Sequence, residues 1–308
     1  MKQKTIKQEF HLEGKGLHSG KQVSVSCMPA PAGHGIKFYR TDLADTPCIE
    51  ATPDNVGSTN RGTAIRIADT GIEVKTIEHL MSALAGTGIY NAKIYADGEE
   101  VPILTGNAEP FVKAIMQAGT EELEADQPVF RPEENIYVKD PSSDSAFLIE
   151  PAEHFSLHVN VDFHSKVLGA QQADFSDMTT YAEQIAPCRT FCFLHEILPL
   201  IKLGLIKGGD VENAIVYVEN DISEQDKKEV CAFFGKEEIK INTHGILNTR
   251  LYFENEVARH KLLDIMGDFA LIGMPVQAKI TADYPGHNIN TRVASHIYRQ
   301  YLQSRCTR

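Results

Sequence analysis

The chain has 308 residues, 42% hydrophobic and 23% charged, with 42 acidic against 30 basic side chains and a formal net charge of −12. That length is enough for two ordinary domains with sizeable cores. The acidic balance excludes a broad electrostatic footprint for nucleic acid, although local basic residues can still grip a phosphate.

No apolar run approaches the roughly 20 residues that span a bilayer. The opening MKQKTIKQEF lacks the apolar segment of a signal peptide, so the expected location is cytoplasmic. The cysteines include no Cys-x-x-Cys pair; Cys188 and Cys192 read as free thiols rather than as a metal pair.

To about Arg66, the β-type runs KQVSVSCM, GIKFYR and TAIRIA alternate with glycine-containing turns, which predicts hairpins. A helix then follows, with Thr76 as its N-cap, Ile77, Leu80, Met81 and Leu84 as its apolar stripe, and Gly86 and Gly88 as its stop. His79 lies off that stripe, with the small residues Ser82, Ala83 and Gly86 around it leaving room for an approaching group. Strands are expected at NAKIYAD and EEVPIL, then a helix from Pro110 to Gly119. The acidic, proline-containing EELEADQPVFRPEEN reads as a linker.

Beyond it, NIYVKD, AFLIEP and FSLHVNVDF restart the β pattern, so the chain reads as two similar α+β halves. The run from Cys188 to Val218 predicts strand, apolar helix, Gly-Gly turn and strand. Its Phe193, Ile197, Leu198, Leu200, Ile201 and Leu205 exceed the needs of one buried face. They suit either a core helix bent at Pro199 or an apolar wall for a lipid chain. Residues 221–244 are charged and read as a surface excursion.

The stretch Glu256 to Ile272 predicts a mostly buried helix, yet His260, Asp264 and Asp268 recur every four residues along one side. A buried, unpaired carboxylate takes up a proton or needs a cation, so the stripe calls for a metal or a water-filled cleft. If His79 joins His260 and Asp264, two nitrogens and an oxygen can hold zinc and leave its fourth position open to water. Glu78 is turned about 100° from His79 and suits a general base rather than a ligand; its other reading is a helix-start glutamate favoured by the dipole. His287 falls in the turn YPGHN, where Asp268 could keep it charged to stabilise an oxyanion or protonate a leaving amine.

With TIEHLMSALAG, RHKLLDIMGD and YPGHN in view, and with GLHSG, PILTGNAEPFV, CRTF and LIKGG, the chain resembles the zinc-dependent UDP-3-O-acyl-N-acetylglucosamine deacetylases of lipid A synthesis. The resemblance implies an α+β fold of two domains of similar topology, each a β-sheet plus two helices, with the helices packed between the two sheets. The domains are expected at 1–124 and 133–308, with inserts at about 52–63 and 190–217, and the 221–244 excursion is long for the family.

It further implies Zn2+ on His79, His260 and Asp264, Glu78 as general base, His287 as charged acid with Asp268 behind it, and the Thr190 hydroxyl on the developing oxyanion. Phe191, Ile197, Ile206 and Val216 are candidates for lining an acyl passage, Phe163 for facing the sugar, and Lys261 and His18 for meeting the diphosphate. Glu150 stands where well-studied members often carry a lysine. The implied partners are an acylated UDP-sugar and, through its fatty tail, the inner membrane surface; the expected state is a monomer.

Other readings start from the same residues. Some relatives are fused to a hydroxyacyl dehydratase, and this chain could be a piece of such a fusion. Two histidines and a carboxylate also form the facial triad of non-haem iron oxygenases, but those sites sit mostly in β barrels, whereas both ligand segments here look helical. A non-catalytic binder of acylated nucleotide sugars is the third.

Overall fold

The computed structural model describes residues 1–203 and 206–306; Leu205, counted above in the apolar run, lies outside the described residues with Gly204, Thr307 and Arg308. The first half contains β1 (Lys2–Ile6), β2 (Phe10–Lys15), β3 (Gln22–Met28), β4 (Ile36–Arg40), β5 (Cys48–Glu50), β6 (Ile65–Arg66), β7 (Glu73–Val74), α1 (Glu78–Gly86), β8 (Ala92–Ala96), α2 (Glu109–Ala118) and β9 (Thr120–Asp126). The second continues with β10 (Ile136–Lys139), β11 (Ala146–Pro151), β12 (Ser156–Asp162), β13 (Ala170–Phe175), α3 (Tyr181–Gln184), β14 (Phe191–Phe193), α4 (Leu194–Lys202), β15 (Ile215–Tyr217), α5 (Glu224–Phe234), α6 (Glu256–Ala270), β16 (Ala278–Asp283) and α7 (His287–Cys306).

Each half builds one five-stranded sheet, and the two orders match: β2-β3-β8-β4-β5 and β10-β11-β16-β12-β13. In both, the last strand enters the middle, antiparallel to one neighbour (β3 or β11) and parallel to the other (β4 or β12). Alternation sets the buried faces: Val23, Val25 and Cys27 point inward along β3, as do Leu157, Val159 and Val161 along β12. One helix precedes the central strand and one follows it, giving α1 and α2 in the first half, α6 and α7 in the second. Helix α1 packs on α6, which also lies against β12 and β13, and a single core joins both sheets to these helices. The fold is the expected α+β pair of like topology.

Inserts interrupt both halves between the fourth sheet strand and the first core helix. The first holds a 3-10 turn, Pro53–Asn55, and the small β6–β7 hairpin. In the second, β14 and β15 pair in parallel across α4, and α5 packs on α4. Of the 221–244 excursion, α5 is more than a charged surface: Val230 and Phe234 are buried in a satellite core with Leu194, Ile197 and Ile201 of α4.

Several local expectations are corrected. EEVPIL forms no strand, only a single bridge between Lys75 and Glu100. The acidic start of the expected linker is strand β9, antiparallel to β1, where Lys2 meets Asp126 at 3.0 Å and Lys4 approaches Glu122 at 4.0 Å. Cross-strand charge pairing thus supports a segment whose composition disfavours strands. Thr76 does not cap α1: it takes a positive φ of 56°, and its hydroxyl donates to Glu100 Oε1 at 3.0 Å. His287 is the first residue of a 20-residue helix rather than part of a free turn.

Candidate metal centre and apolar cavity

His79 and Glu78 open α1, while His260, Asp264 and Asp268 lie along α6, and all five are buried. The two helices approach closely because position 267 is glycine; a Cβ there would run into the backbone of Glu78. This approach brings one candidate ligand atom from each of His79, His260 and Asp264 within 4.8 Å of one another. The two imidazole rings lie 5.3 Å apart, nearly edge to face.

The protonation of the group follows from its surroundings. Burial, then the neighbouring His260, pushes the His79 pKa down to about 3, and burial lowers that of His260, so both imidazoles are neutral at pH 7. His260 Nδ1 lies 3.0 Å from the Cys188 carbonyl, to which it donates, leaving the Nε2 lone pair facing Asp264 Oδ1 at 3.4 Å. Burial opposes ionisation of Asp264, but the cationic Lys261 and His287 beside it outweigh that and hold the carboxyl well below the usual range.

Lys261 donates to Asp264 Oδ2 at 2.6 Å, whereas the buried Oδ1 has no hydrogen-bond partner. An orphaned buried carboxylate oxygen is costly unless something positive meets it. Two neutral imidazoles beside it complete a donor set suited to a tetrahedral divalent metal with one position to spare.

Two further groups flank the cluster. Burial raises the Glu78 pKa to about 7, against the lowering influence of His287 and of the Thr63 N–H, which donates to Glu78 Oε2 at 2.9 Å. Burial disfavours a charge on His287, but Asp268 at 3.0 Å, with Asp264 and Glu78, overcomes this and lifts its pKa to about 9. Asp268 also accepts from the Thr63 hydroxyl at 2.5 Å and from Asn290 Nδ2 at 2.9 Å. With His287 Nδ1 held by Asp268, its other nitrogen is the one free to serve the cavity.

A cavity of about 430 Å³ contains these groups and extends between the inserts. Glu78, His79, His260, Lys261, Asp264, His287, His18, Thr190, Phe191, Ile197, Ile206 and Val216 all border it. Asp268 lies behind His287, and Phe163 is outside the lining, 39% exposed with its ring 5.0 Å from that of Phe191. Lys261 is engaged with Asp264, and Glu150 pairs with Lys279 at 2.8 Å. Thr190 is fixed by its backbone, its N–H donating to the Gly106 carbonyl and its carbonyl accepting from Ile215, both at 2.8 Å. The space expected beside His79 is partly filled by Tyr181, whose hydroxyl bonds Ser82 Oγ at 2.7 Å and whose ring covers Gly86.

Sequence reasoning missed Thr63 and Glu100. Thr63 joins Glu78 to Asp268, contacts created only when the first insert folds onto α6. Glu100 accepts the backbone N–H groups of His18 and Ser19 at 2.9 and 3.1 Å, and so holds the GLHSG loop at the cavity. Neither carried a spacing signal.

Fold and site together define a duplicated α+β protein with a buried His–His–Asp cluster bordering a largely apolar cavity. Residues 3–231 and 235–299 match the family model described as LpxC, UDP-3-O-acyl N-acetylglycosamine deacetylase. The chain belongs to this family. Among similar proteins, the bifunctional enzyme LpxC/FabZ of Bacteroides thetaiotaomicron is 42% identical over 97% of this chain, and that of Porphyromonas gingivalis 40% over 98%. The chain spans 65% of the length of each of these two. The UDP-3-O-acyl-N-acetylglucosamine deacetylase of Myxococcus xanthus is 38% identical over 96% of this chain and 86% of its own length.

Proposed function

We propose that this chain is a zinc-dependent amidohydrolase that removes the N-acetyl group from UDP-3-O-acyl-N-acetylglucosamine, releasing acetate and UDP-3-O-acyl-glucosamine in lipid A biosynthesis. The unpartnered, buried Asp264 Oδ1 beside two neutral imidazoles carries the reading, because a buried carboxylate oxygen with no hydrogen-bond partner is stabilised by a dication. His79, His260 and Asp264 would hold zinc, which when bound supplies Lewis-acid polarisation at the acetamide.

The chain's own residues divide the proton work. Glu78, ionised, accepts a proton from the attacking water. The Thr190 hydroxyl donates to the oxygen that gains charge as the carbonyl becomes tetrahedral. His287, held charged by Asp268, gives its proton to the amine nitrogen as the C–N bond breaks, so the products are acetate and a free amine. Thr63 fixes the base and the acid's partner relative to each other. The apolar cavity suits the 3-O-acyl chain; in this reading Phe163 would face the sugar, and Lys261 and His18 would meet the diphosphate.

Among the described residues, no helix is long and apolar enough to cross a membrane. We place the protein in the cytoplasm, as a monomer that meets its lipid-tailed substrate at the inner membrane surface. Replacing Glu78 with Gln keeps the side chain's size and removes the base. Acetate release should fall by a factor of about 100 or more, with zinc content unchanged by metal analysis. Acetate release at the parental rate would remove Glu78 from this role.

A further inference from the structure

Helix α5 has an outward face that the sequence explains and an inward face that it does not. Glu224, Gln225 and Lys228 are exposed, and the helix is well terminated: the Asp226 N–H donates to Ser223 Oγ at 3.1 Å, and Gly235 closes the C-terminus with φ 60°. Lys202 of α4 meets Asp226 at 2.6 Å, which sets the two helices side by side. Val230 is fully buried and Phe234 nearly so, and both anchor α5 to the satellite core.

Phe233 differs from these anchors. It is half-buried, its ring stands edge-on to Phe234 at 4.9 Å, and it borders the same cavity as the His–His–Asp cluster. Ile197 and Leu200 of α4, Ile206, Val216 and both phenylalanines line that cavity together with the cluster, and Phe233 packs on the satellite core of the insert rather than on the core shared by α1 and α6. The first half of the fold has no equivalent of α5, and the two stretches of chain that match the family model, 3–231 and 235–299, are separated at these same residues.

The geometry points to Phe233 as the stop of the acyl passage: a specificity-determining residue whose ring sets the longest 3-O-acyl chain that the cavity accepts. The inference rests on the deacetylase reading and adds to it. Each methylene that moves from water into an apolar site favours binding about fourfold, so a chain that gains room for two more methylenes is favoured by roughly 15-fold. A chain already at the ring gains nothing by lengthening and must bend or displace it.

The experiment measures kcat/KM for acetate release from a series of UDP-3-O-acyl-N-acetylglucosamines differing only in chain length, using the zinc-loaded full chain and its Phe233→Ala, Phe233→Leu and Phe233→Trp variants. We expect the Ala variant to move the preferred length upward, the Leu variant to move it less, and the Trp variant to move it downward. The kcat/KM of a substrate two methylenes longer than the parent's optimum should rise by roughly 15-fold relative to that optimum in Phe233→Ala. Should the Ala variant fail to fold, the opposed shifts of Leu and Trp decide the matter. Folded variants that all keep the parent's length profile overturn the stop while leaving the deacetylase intact. A parent that releases no acetate at any length removes the deacetylase reading and this one with it.

Discussion

Glu78 and His287 border one cavity and make opposite demands on pH. The base must be ionised, so below its pKa of about 7 the proposed activity falls with pH. The acid must be protonated, so above about 9 activity falls as pH rises. A dication held beside them lowers both values, which makes these upper limits for the two limbs of a bell-shaped kcat/KM profile. Burial alone would push the His287 pKa down, and the Asp268 carboxylate is the first of the charges that reverse it. Asp268→Asn should therefore shift the high-pH limb downward by a unit or more while leaving the low-pH limb in place. A high-pH limb that does not move in this variant would assign it to some other group. At this scale the sequence was readable where helical geometry does the placing: His260, Asp264 and Asp268 share a side because they are four residues apart. It was silent on Thr63, whose bond to Asp268 spans 205 positions.

Between helices, a single missing side chain decides the geometry. Glycine within a helix costs about 1 kcal/mol relative to alanine, yet Gly267 stands in the last turn of α6, where it meets the backbone of Glu78. Gly267→Ala gains helix propensity but forces α6 off α1, and overpacking of this kind costs about 1–3 kcal/mol. We expect a lower unfolding midpoint by calorimetry and a larger loss of turnover than of stability, since the displaced backbone carries both Glu78 and His79. An unchanged midpoint and rate would show that the two helices have slack. Elements with strong periodicity, such as β3, β12 and α6, were legible from the chain. Those that depend on a distant partner were not: β9 is strand because lysines of β1 face its acids, and the Pro285-Gly286 pair hid the start of α7. Similarly, the charged run containing α5 concealed that Val230 and Phe234 belong to a core.

Across the whole molecule, the candidate ligands come from both halves, His79 from α1 in the first and His260 with Asp264 from α6 in the second. The duplicated topology was anticipated from the repeated order of strands and helices, and the resemblance implied the closeness of the two halves, which α1 against α6 inside one shared core provides. A metal bound by both helices favours the folded, docked arrangement over the unfolded chain, in which these three side chains are far apart. At a free zinc concentration 100 times the dissociation constant, this linkage contributes about 2.7 kcal/mol. For a chain of this size that corresponds to a rise of roughly 5 °C in the unfolding midpoint. Because one core spans both halves, zinc should move a single calorimetric transition rather than split it in two. Asp264→Ala, which removes a ligand together with the orphaned Oδ1, should lose most of the zinc response. If the parent's midpoint stays fixed throughout a zinc titration of chelated protein, the His–His–Asp cluster is not a metal site. A response retained in full by Asp264→Ala would instead locate the bound metal elsewhere on the chain.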